Sequence, residues 1–273
     1  MKPAAFDYAR PESRGEVLKL LADTGSDARV LAGGQSLMAV LNMRLAEPAL
    51  VIDIGDVADL GYIEIRDDRL CIGANTRQAE LLAWPELAEH APLLARVMPW
   101  VGHFQTRNRG TVCGSIAHAD PSAELPLSLA VLGGEVVLER RHWRRGRRVV
   151  PADEFFQGLL TTAREPDELL TEVRFPLARA DHHYRFTEVA MRHGDFALVA
   201  LAATIGPEEV LLGVGGVADR PVVRRIPRDG DFDEELNTFA WSLGAESDAH
   251  ASAAYRRQLV REQGHKLLME ANP

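Results

Sequence analysis

The sequence feature that most constrains the fold is an apolar run at residues 30–32 that leads directly into a Gly-Gly-Gln-Ser segment at residues 33–36. Apolar residues at helical spacing follow, so this order predicts a strand, a tight turn and a helix. Two glycines let the backbone turn sharply and bring bare N–H groups close to a ligand, and a helix that begins directly afterwards favours a phosphate there. Taken alone, the segment fits an ordinary strand-to-helix turn better, because paired glycines are common in turns.

The segments around this turn predict alternating strands and helices, which indicates a mixed α/β body. Ser13 is the predicted N-cap of a helix that ends at Gly25, with Glu16 placed as in a capping box. A hairpin is predicted within residues 62–72, at an Asp-Asp pair. Further strands are predicted at residues 50–54, 135–139, 148–151 and 169–175, and further helices at residues 76–84, 85–97 and 125–132.

Residues 178–183 are the predicted boundary between a body of about 175 residues and a smaller C-terminal domain of about 95 residues. The smaller domain contains an apolar stretch at residues 196–205, a strand at residues 209–214 and a helical C-terminus. Gly215-Gly216 is predicted to be a turn after that strand, since no capped helix follows it as a cofactor loop would require.

A second glycine-containing segment, residues 108–121, shows no helix or strand period along its whole length. It combines hydroxyls, glycines and amide donors. A compact domain seldom keeps so long an irregular stretch without a functional reason, and ligand binding is the usual one. Neither glycine segment has the pattern G-x-G-x-x-G or G-x-x-x-x-G-K-[ST], which disfavours a Rossmann-type nicotinamide fold and an NTPase.

Composition excludes several classes of protein. The formal net charge of −9 repels phosphate backbones and anionic membranes, which disfavours general nucleic-acid or lipid binding. The two cysteines, Cys71 and Cys113, exclude a disulfide framework, and also a cysteine-ligated iron–sulfur cluster on this chain, because such a cluster takes four thiolates. The first ten residues have no apolar core of a secretory signal, and the apolar run at residues 196–205 is too short to span a membrane. We therefore expect a cytoplasmic protein.

Several sequence blocks carry a resemblance to a known family. They are residues 32–37, 53–54, 72–76, 107–126, 192–197 and 213–221. In this order they resemble the FAD-binding medium subunits of molybdenum hydroxylases, the xanthine dehydrogenase and carbon monoxide dehydrogenase group. The resemblance implies an α+β fold: a PCMH-type (vanillyl-alcohol-oxidase-like) two-lobed FAD-binding domain at residues 1–177, and a small C-terminal α+β domain of the medium subunit at residues 178–273.

The resemblance also implies which residues bind FAD, and it implies no catalytic residue and no metal ligand on this chain. Residues 33–37 and 111–115 match the two loops that hold the FAD pyrophosphate. Glu124 matches an acidic position near the ribityl chain, His118 falls beside the isoalloxazine, and Leu170 matches an apolar contact to the ring. The full predicted FAD-binding set is Leu31, Ala32, Gly33, Gly34, Gln35, Ser36, Leu37, Val101, Thr111, Gly114, Ser115, His118, Glu124 and Leu170.

The sequence departs from the family pattern at two positions. Several members carry Lys where this chain has Glu188. A cation near the flavin favours its anionic reduced form, so its loss is expected to alter the redox potential or the electron acceptor. Glycine is frequent where this chain has Cys113, which is interpreted as a small buried hydrophobe. The resemblance also aligns Phe196 with a place where some members have an aromatic residue against the flavin.

Three further interpretations concern covalent attachment of FAD, an acid/base pair and an arginine-rich run. Covalent attachment of FAD through His103, Cys113 or His118 is disfavoured, because site chemistry does not follow from fold. His118 and Asp120 could meet as an acid/base pair, but a role in satisfying loop or cofactor groups is favoured because no nucleophile stands at matching spacing. The arginine-rich run at residues 140–148 favours a solvated hairpin tip over a nucleic-acid site, and docking to a partner subunit is a third use.

The resemblance implies an FAD-dependent oxidoreductase subunit that is active as part of a complex. Its FAD would accept electrons from the [2Fe–2S] clusters of a small subunit, which receives them from a large subunit with the molybdenum cofactor. The electrons would then pass to an acceptor such as NAD, oxygen or a quinone-linked carrier. The alternative is a free-standing FAD-dependent oxidoreductase that acts directly on a small organic substrate. A non-redox scaffold is a third hypothesis, disfavoured by the intact glycine segments.

Overall fold

A computed structural model describes residues 2–141 and 146–269. In chain order the strands are β1 (Asp7–Ala9), β2 (Ala28–Leu31), β3 (Leu50–Asp53), β4 (Ile63–Arg66), β5 (Arg69–Gly73), β6 (Glu135–Glu139), β7 (Arg147–Pro151), β8 (Phe156–Gly158), β9 (Thr161–Thr162), β10 (Leu169–Pro176), β11 (His183–Ala190), β12 (Ala197–Ile205), β13 (Glu209–Gly215) and β14 (Val222–Pro227). The helices are α1 (Arg14–Thr24), α2 (Leu37–Asn42), α3 (Gln78–Ala83), α4 (Leu87–His90), α5 (Pro92–Val97), α6 (Phe104–Arg109), α7 (Val112–His118), α8 (Glu124–Leu132), α9 (Ala152–Phe155), α10 (Phe232–Ser242) and α11 (Ala253–Met269).

The N-terminal lobe is a small parallel sheet in the order β1-β3-β2. Helix α1 connects β1 to β2 and begins at Ser13, whose Oγ accepts the N–H of Glu16 at 3.3 Å. The Glu16 carboxylate in turn accepts the N–H of Glu12, one residue before the position that a standard capping box uses. Gly25 ends the helix with φ of +61°. The predicted helix, its N-cap and its C-terminal glycine are confirmed.

The second lobe is an antiparallel sheet in the order β4-β5-β10-β6-β7. The hairpin between β4 and β5 turns at Asp67 and Asp68, both with positive φ, as a tight two-residue hairpin requires. The predicted hairpin and the predicted β6–β7 pair are confirmed. Helices α7 and α8 pack against this lobe, and their buried side chains belong to the same hydrophobic cluster as β5 and β10.

The C-terminal region is an antiparallel sheet in the order β11-β12-β13-β14. The apolar run predicted from the sequence is its strand β12, which is continuously apolar because both of its faces are buried. Ala200 and Ala202 belong to the hydrophobic cluster of the first two lobes, whereas Val199 and Leu201 belong to a second cluster with α10 and α11. Alternate residues of β12 thus belong to two hydrophobic cores. The predicted division into two domains after residue 177 stays a prediction.

Two predicted segments differ from the structure. Residues 85–97 form two helices instead of one, because the chain breaks at Ala91, with φ of −142°, before Pro92 opens α5. Residues 108–121, predicted to be irregular, contain the end of α6 and all of α7. In α7 the buried residues Val112, Cys113 and Ile116 share one face at helical spacing. The glycines and hydroxyls between them obscured this periodicity in the sequence.

Among residues 2–141 and 146–269, none of the helices combines the length and the apolar character that crossing a membrane would take.

Candidate functional site

A cavity of about 800 Å³ lies where the N-terminal lobe meets α6 and α7, and β10, α8 and the start of β12 close it. This volume is in the range of pockets that hold small ligands and cofactors, roughly 300–1,000 Å³. One wall is the glycine segment after β2, and the facing wall is the segment around the start of α7. The cavity therefore joins two stretches that are about 75 residues apart in the sequence.

The two walls touch at Gly33. A side chain placed on this residue would put its Cβ 2.7 Å from the Gly110 Cα and closer still to the carbonyl oxygen of Arg109. Both neighbours are backbone, so a larger residue cannot be accommodated by a side-chain rotation. Gly34 has φ of +71°, a conformation that costs other residues energy. Glycine is thus needed at position 33 because the opposite backbone comes close, and at position 34 because the chain turns there with positive φ.

The first wall presents backbone donors that have no partner among the described residues. The carbonyls of Gly34 and Ser36 accept the N–H groups of Met38 and Val40 at 3.2 and 3.1 Å. No backbone N–H between Gly33 and Ser36 donates to a group in residues 2–141 or 146–269. Buried or half-buried N–H groups are normally paired, so this wall has donors to offer to an anionic ligand.

The second wall is held by a threonine cap. The Thr111 Oγ1 accepts the N–H of Gly114 at 3.0 Å and so begins α7. Two backbone hydrogen bonds join the approach to this helix to the start of α3, from the N–H of Gln78 to the Gly110 carbonyl and from the N–H of Val112 to the Thr76 carbonyl. They fix the position of the second wall independently of the first.

One end of the cavity is acidic. Glu124, the first residue of α8, lines the cavity and is only 7% exposed. Burial raises the pKa of its carboxyl to about 7, with a smaller contribution from the charge of Asp120 and an opposing one from a backbone N–H. Asp120 itself accepts the N–H of Ser122 at 2.9 Å. His118 lies on the same wall at the end of α7, where Ala119 takes the left-handed conformation.

Another part of the cavity lining is cationic, and it was not predicted from the sequence. Arg29 and Arg164 line the cavity there. The Arg164 guanidinium donates to the carbonyls of Glu165 and Glu168 at 2.9 and 2.8 Å, and its burial lowers its pKa. The carboxylate of Glu168 is occupied by Arg148, at 2.7 Å. Arg29 and Arg164 are far apart in the sequence, and no local motif marks either of them as part of a site.

The segment before β12 closes the mouth of the cavity. Gly194 has φ of +87°, and a Cβ there would lie 2.7 Å from the imidazole of His103. Gly194, Asp195 and Phe196 all line the cavity, with the Phe196 side chain 64% exposed at its edge. The His193 ring packs edge-on to Trp100 with centroids 5.0 Å apart, which anchors the segment to the loop that precedes α6.

The predicted FAD-binding residues come together in this cavity. Those that line it are Ala32, Gly33, Gly34, Gln35, Ser36, Leu37, Val101, Thr111, Gly114, Ser115, His118, Glu124 and Leu170. Leu31 does not line it, but its Cδ1 lies behind Gly34, 3.2 Å from where a Cβ would be. The contact that each residue makes with a cofactor stays a prediction.

The structure bears on three of the predictions: covalent attachment of FAD, the His118–Asp120 pair and the arginine-rich run. The Cys113 thiol is fully buried and donates to the Ile72 carbonyl, and burial raises its pKa, which makes it a poor nucleophile for covalent attachment. No hydrogen bond joins His118 to Asp120 within the described part of the chain. In the arginine-rich run, Arg148 pairs with Glu168, while residues 142–145, the predicted hairpin tip, lie outside the described residues.

Comparison with known proteins gives a consistent result. Residues 4–178 match the family model described as the FAD-binding domain in molybdopterin dehydrogenase. The chain is 41% identical over 209 residues to the caffeine dehydrogenase subunit beta of Pseudomonas sp. (strain CBB1), a match that covers 77% of this chain and 70% of the relative. It is 34% identical over 286 residues to the 6-hydroxypseudooxynicotine dehydrogenase complex subunit alpha of Paenarthrobacter nicotinovorans, covering 99% and 96%.

The fold is also similar to that of a solved structure. A chain of the carbon monoxide dehydrogenase from Hydrogenophaga pseudoflava superposes with a TM-score of 0.89 at 30% sequence identity, and the match covers 98% of each chain. The predicted resemblance and the predicted fold class are confirmed by these matches.

Proposed function

Because the chain belongs to the family of FAD-binding domains of molybdopterin dehydrogenases, we propose that it is the electron-transferring subunit of a molybdenum hydroxylase complex. Its cofactor is FAD, and it is an oxidoreductase subunit. In the proposed role it receives electrons from the [2Fe–2S] clusters of a small subunit and passes them to NAD, oxygen or a quinone-linked carrier. A cytoplasmic location is part of the same proposal.

One observation carries the proposal. The two glycine-containing walls meet at Gly33, and the first of them leaves its backbone N–H groups without partners on the cavity side. A diphosphate is the part of FAD that such donors bind, since it accepts several hydrogen bonds over a short distance and carries two negative charges. Arg29 and Glu124 also line the cavity, so its lining offers both a cation and a carboxyl to the rest of the cofactor.

FAD supplies the electron-transfer chemistry when bound, and this chain supplies binding, orientation and charge. We assign the diphosphate to the backbone N–H groups of residues 33–37, with the loop at residues 111–115 facing it from the other wall. Glu124 is assigned to hydroxyl groups of the ribityl chain, which its carboxyl can accept from or donate to. Leu170 and Val101, both buried, are assigned to apolar contacts with the ring. No side chain is assigned as a general base.

The partner subunits follow from what this chain lacks. Its two cysteines are both buried, and clusters of His, Cys, Asp or Glu that could hold a metal ion are absent from residues 2–141 and 146–269. Iron–sulfur clusters bind through several thiolates, so the proposed donor of electrons lies on another chain. The substrate pocket of the complex is placed by the same proposal on the molybdenum subunit.

The proposal is tested by titrating the purified full-length chain with FAD and following the flavin fluorescence. We expect saturable binding and a yellow protein. Gly33→Ala is expected to weaken binding strongly, whereas Gly15→Ala, at a helix position with nothing within 4 Å of the new Cβ, is the matched control and leaves it unchanged. A chain that folds but stays colourless with excess FAD would refute the proposal in favour of a scaffold.

Purification from the native host separates a complex from the free-standing alternative. We expect co-purification with an iron–sulfur subunit and a molybdenum subunit, and no reduction of the FAD by small organic compounds when the chain is alone. Direct reduction of the isolated chain by such a compound would instead support the free-standing oxidoreductase.

A further inference from the structure

A buried carboxyl without any partner lies behind the acidic end of the cavity. Glu188, in the middle of β11, is 7% exposed, and neither of its carboxylate oxygens has a hydrogen-bond partner among the described residues. Two other buried carboxylates are paired, Glu168 with Arg148 and Glu172 with Arg174. A buried ionised carboxylate without a partner is strongly unfavourable, so such a group holds its proton instead.

The sheet register places Glu188 on the face of the sheet that packs on α8. Glu188 is opposite Ala200, and Ala200 is opposite Gly215, so the three residues form one row on one face of the sheet. At the end of that row, a Cβ on Gly215 would meet the Pro121 carbonyl oxygen at 3.1 Å and the Leu127 side chain at 3.5 Å. This face of the sheet therefore packs on the segment that carries Glu124 into the cavity.

Glu124 is the acidic residue whose charge acts on Glu188. Burial is the main reason that its pKa is raised, to about 8, and the charge of Glu124 adds to the effect. Asp120 acts in turn on Glu124. The two carboxyls are thus coupled and titrate near neutral pH.

Cations of the surrounding elements do not neutralise this pair. Strand β12 offers only apolar side chains next to Glu188, and the ring of Phe186, two residues before it on the same face, packs against Trp100. Helix α5, which packs on β11, carries a single charged side chain, Arg96. Helix α11 covers the opposite face of the sheet with the second core, and its buried Arg256 donates to backbone carbonyls and to Asp248.

We propose that Glu124, which lines the FAD cavity, and Glu188, which is buried outside the cavity lining, form a proton-binding carboxyl pair, and that the proton held by the pair favours binding of the anionic cofactor. This inference rests on the proposed function. The FAD diphosphate brings negative charge into the cavity, so the protonated pair binds it better than the ionised pair. By linkage, bound FAD makes the pair hold its proton more tightly, and the proton comes from water.

The first test uses the protein without FAD and compares its stability with that of Glu188→Gln from pH 5 to pH 9. A carboxyl whose pKa is raised on folding binds more protons in the folded state than in the unfolded state, so stability falls as the pH rises between the two pKa values. The wild-type protein is expected to lose stability relative to Glu188→Gln from about pH 5 to about pH 8, and to keep a constant difference above that. A difference that does not change with pH would overturn the inference.

The second test measures FAD affinity by fluorescence at pH 6.5 and at pH 9. If bound FAD raises the pKa of Glu188 from about 8 by about one unit, the wild-type affinity falls by at least about fivefold across this range. Glu188→Gln is expected to keep only the part of this fall that Glu124 contributes, and the double variant Glu188→Gln, Glu124→Gln is expected to change by less than about twofold. Glu208→Gln removes the same charge from the exposed turn between β12 and β13, at the far end of the sheet, and is expected to follow the wild type.

The two tests separate the possible failures. Failure of every variant to bind FAD would refute the proposed function, while the stability comparison still decides whether the carboxyl pair holds a proton. FAD binding with an affinity that is independent of pH in the wild type would refute the carboxyl pair alone. If Glu188→Gln does not fold, Glu124→Gln provides the check, because it removes the charge that acts on Glu188 and shifts the wild-type pH profile of stability to lower pH.

Discussion

Gly33 and Gly114 lie on facing walls of the cavity, and each has a neighbour closer than a side chain would allow. At Gly33 the neighbour is the backbone of Arg109 and Gly110, which comes from the other wall. At Gly114 it is the Oγ1 of Thr111, three residues earlier in the same turn, at 2.6 Å from a Cβ. A backbone obstacle is fixed by the fold, whereas a side-chain obstacle can rotate away. The two glycines therefore tolerate substitution differently.

The largest effect is expected for Gly33→Ala. Its new Cβ overlaps the opposite backbone, so the two walls must separate, at a cost of about 3 kcal/mol of unfolding free energy. The FAD affinity is expected to fall by about 100-fold or more, because the separated walls no longer hold the diphosphate together. Urea unfolding and an FAD titration measure both effects. A substitution with near wild-type affinity would show that the walls are free to move apart.

A smaller loss is expected for Thr111→Ala. It removes the hydroxyl that accepts the Gly114 N–H, and the loss of such an N-cap costs about 1 kcal/mol. Thr111→Ser keeps the hydroxyl and is expected to retain most of the stability, which can be read from the urea midpoints of the two variants. Equal losses in both would mean that the methyl group, and not the cap, is what matters at this position.

The smallest net change is expected for Gly114→Ala. The new Cβ displaces the Thr111 hydroxyl and so loses up to about 1 kcal/mol of capping, but replacing a helical glycine by alanine returns roughly the same amount. The net change in unfolding free energy is expected to stay within about 0.5 kcal/mol of zero. Combining Gly114→Ala with Thr111→Ala should then be more stable than Thr111→Ala alone. A large loss of stability in Gly114→Ala would show that the side-chain obstacle at Gly114 is as restrictive as the backbone obstacle at Gly33.

Local sequence signals predicted most of the elements that support the site. The turn after β2, the N-cap at Ser13, the hairpin at Asp67 and the helix that begins with Glu124 each depend on a few neighbouring residues, and they were found where expected. The failures came where a short helix has a mixed composition. In α7 one glycine and one hydroxyl separate Cys113 from Ile116, so the segment was predicted to be irregular although Thr111 caps a regular helix.

The sequence by itself determined that two glycine-containing turns exist and that they resemble those of an FAD-binding family, because turn conformations and motif order are written in consecutive residues. Only the tertiary structure decided that Gly33 must be glycine because of the Arg109 backbone, that Arg29 and Arg164 both line the cavity, and that Glu188 has no hydrogen-bond partner among the described residues. Each of these depends on which distant segments the packing brings into contact. Burial and pairing are properties of that environment, so a residue type alone cannot specify them.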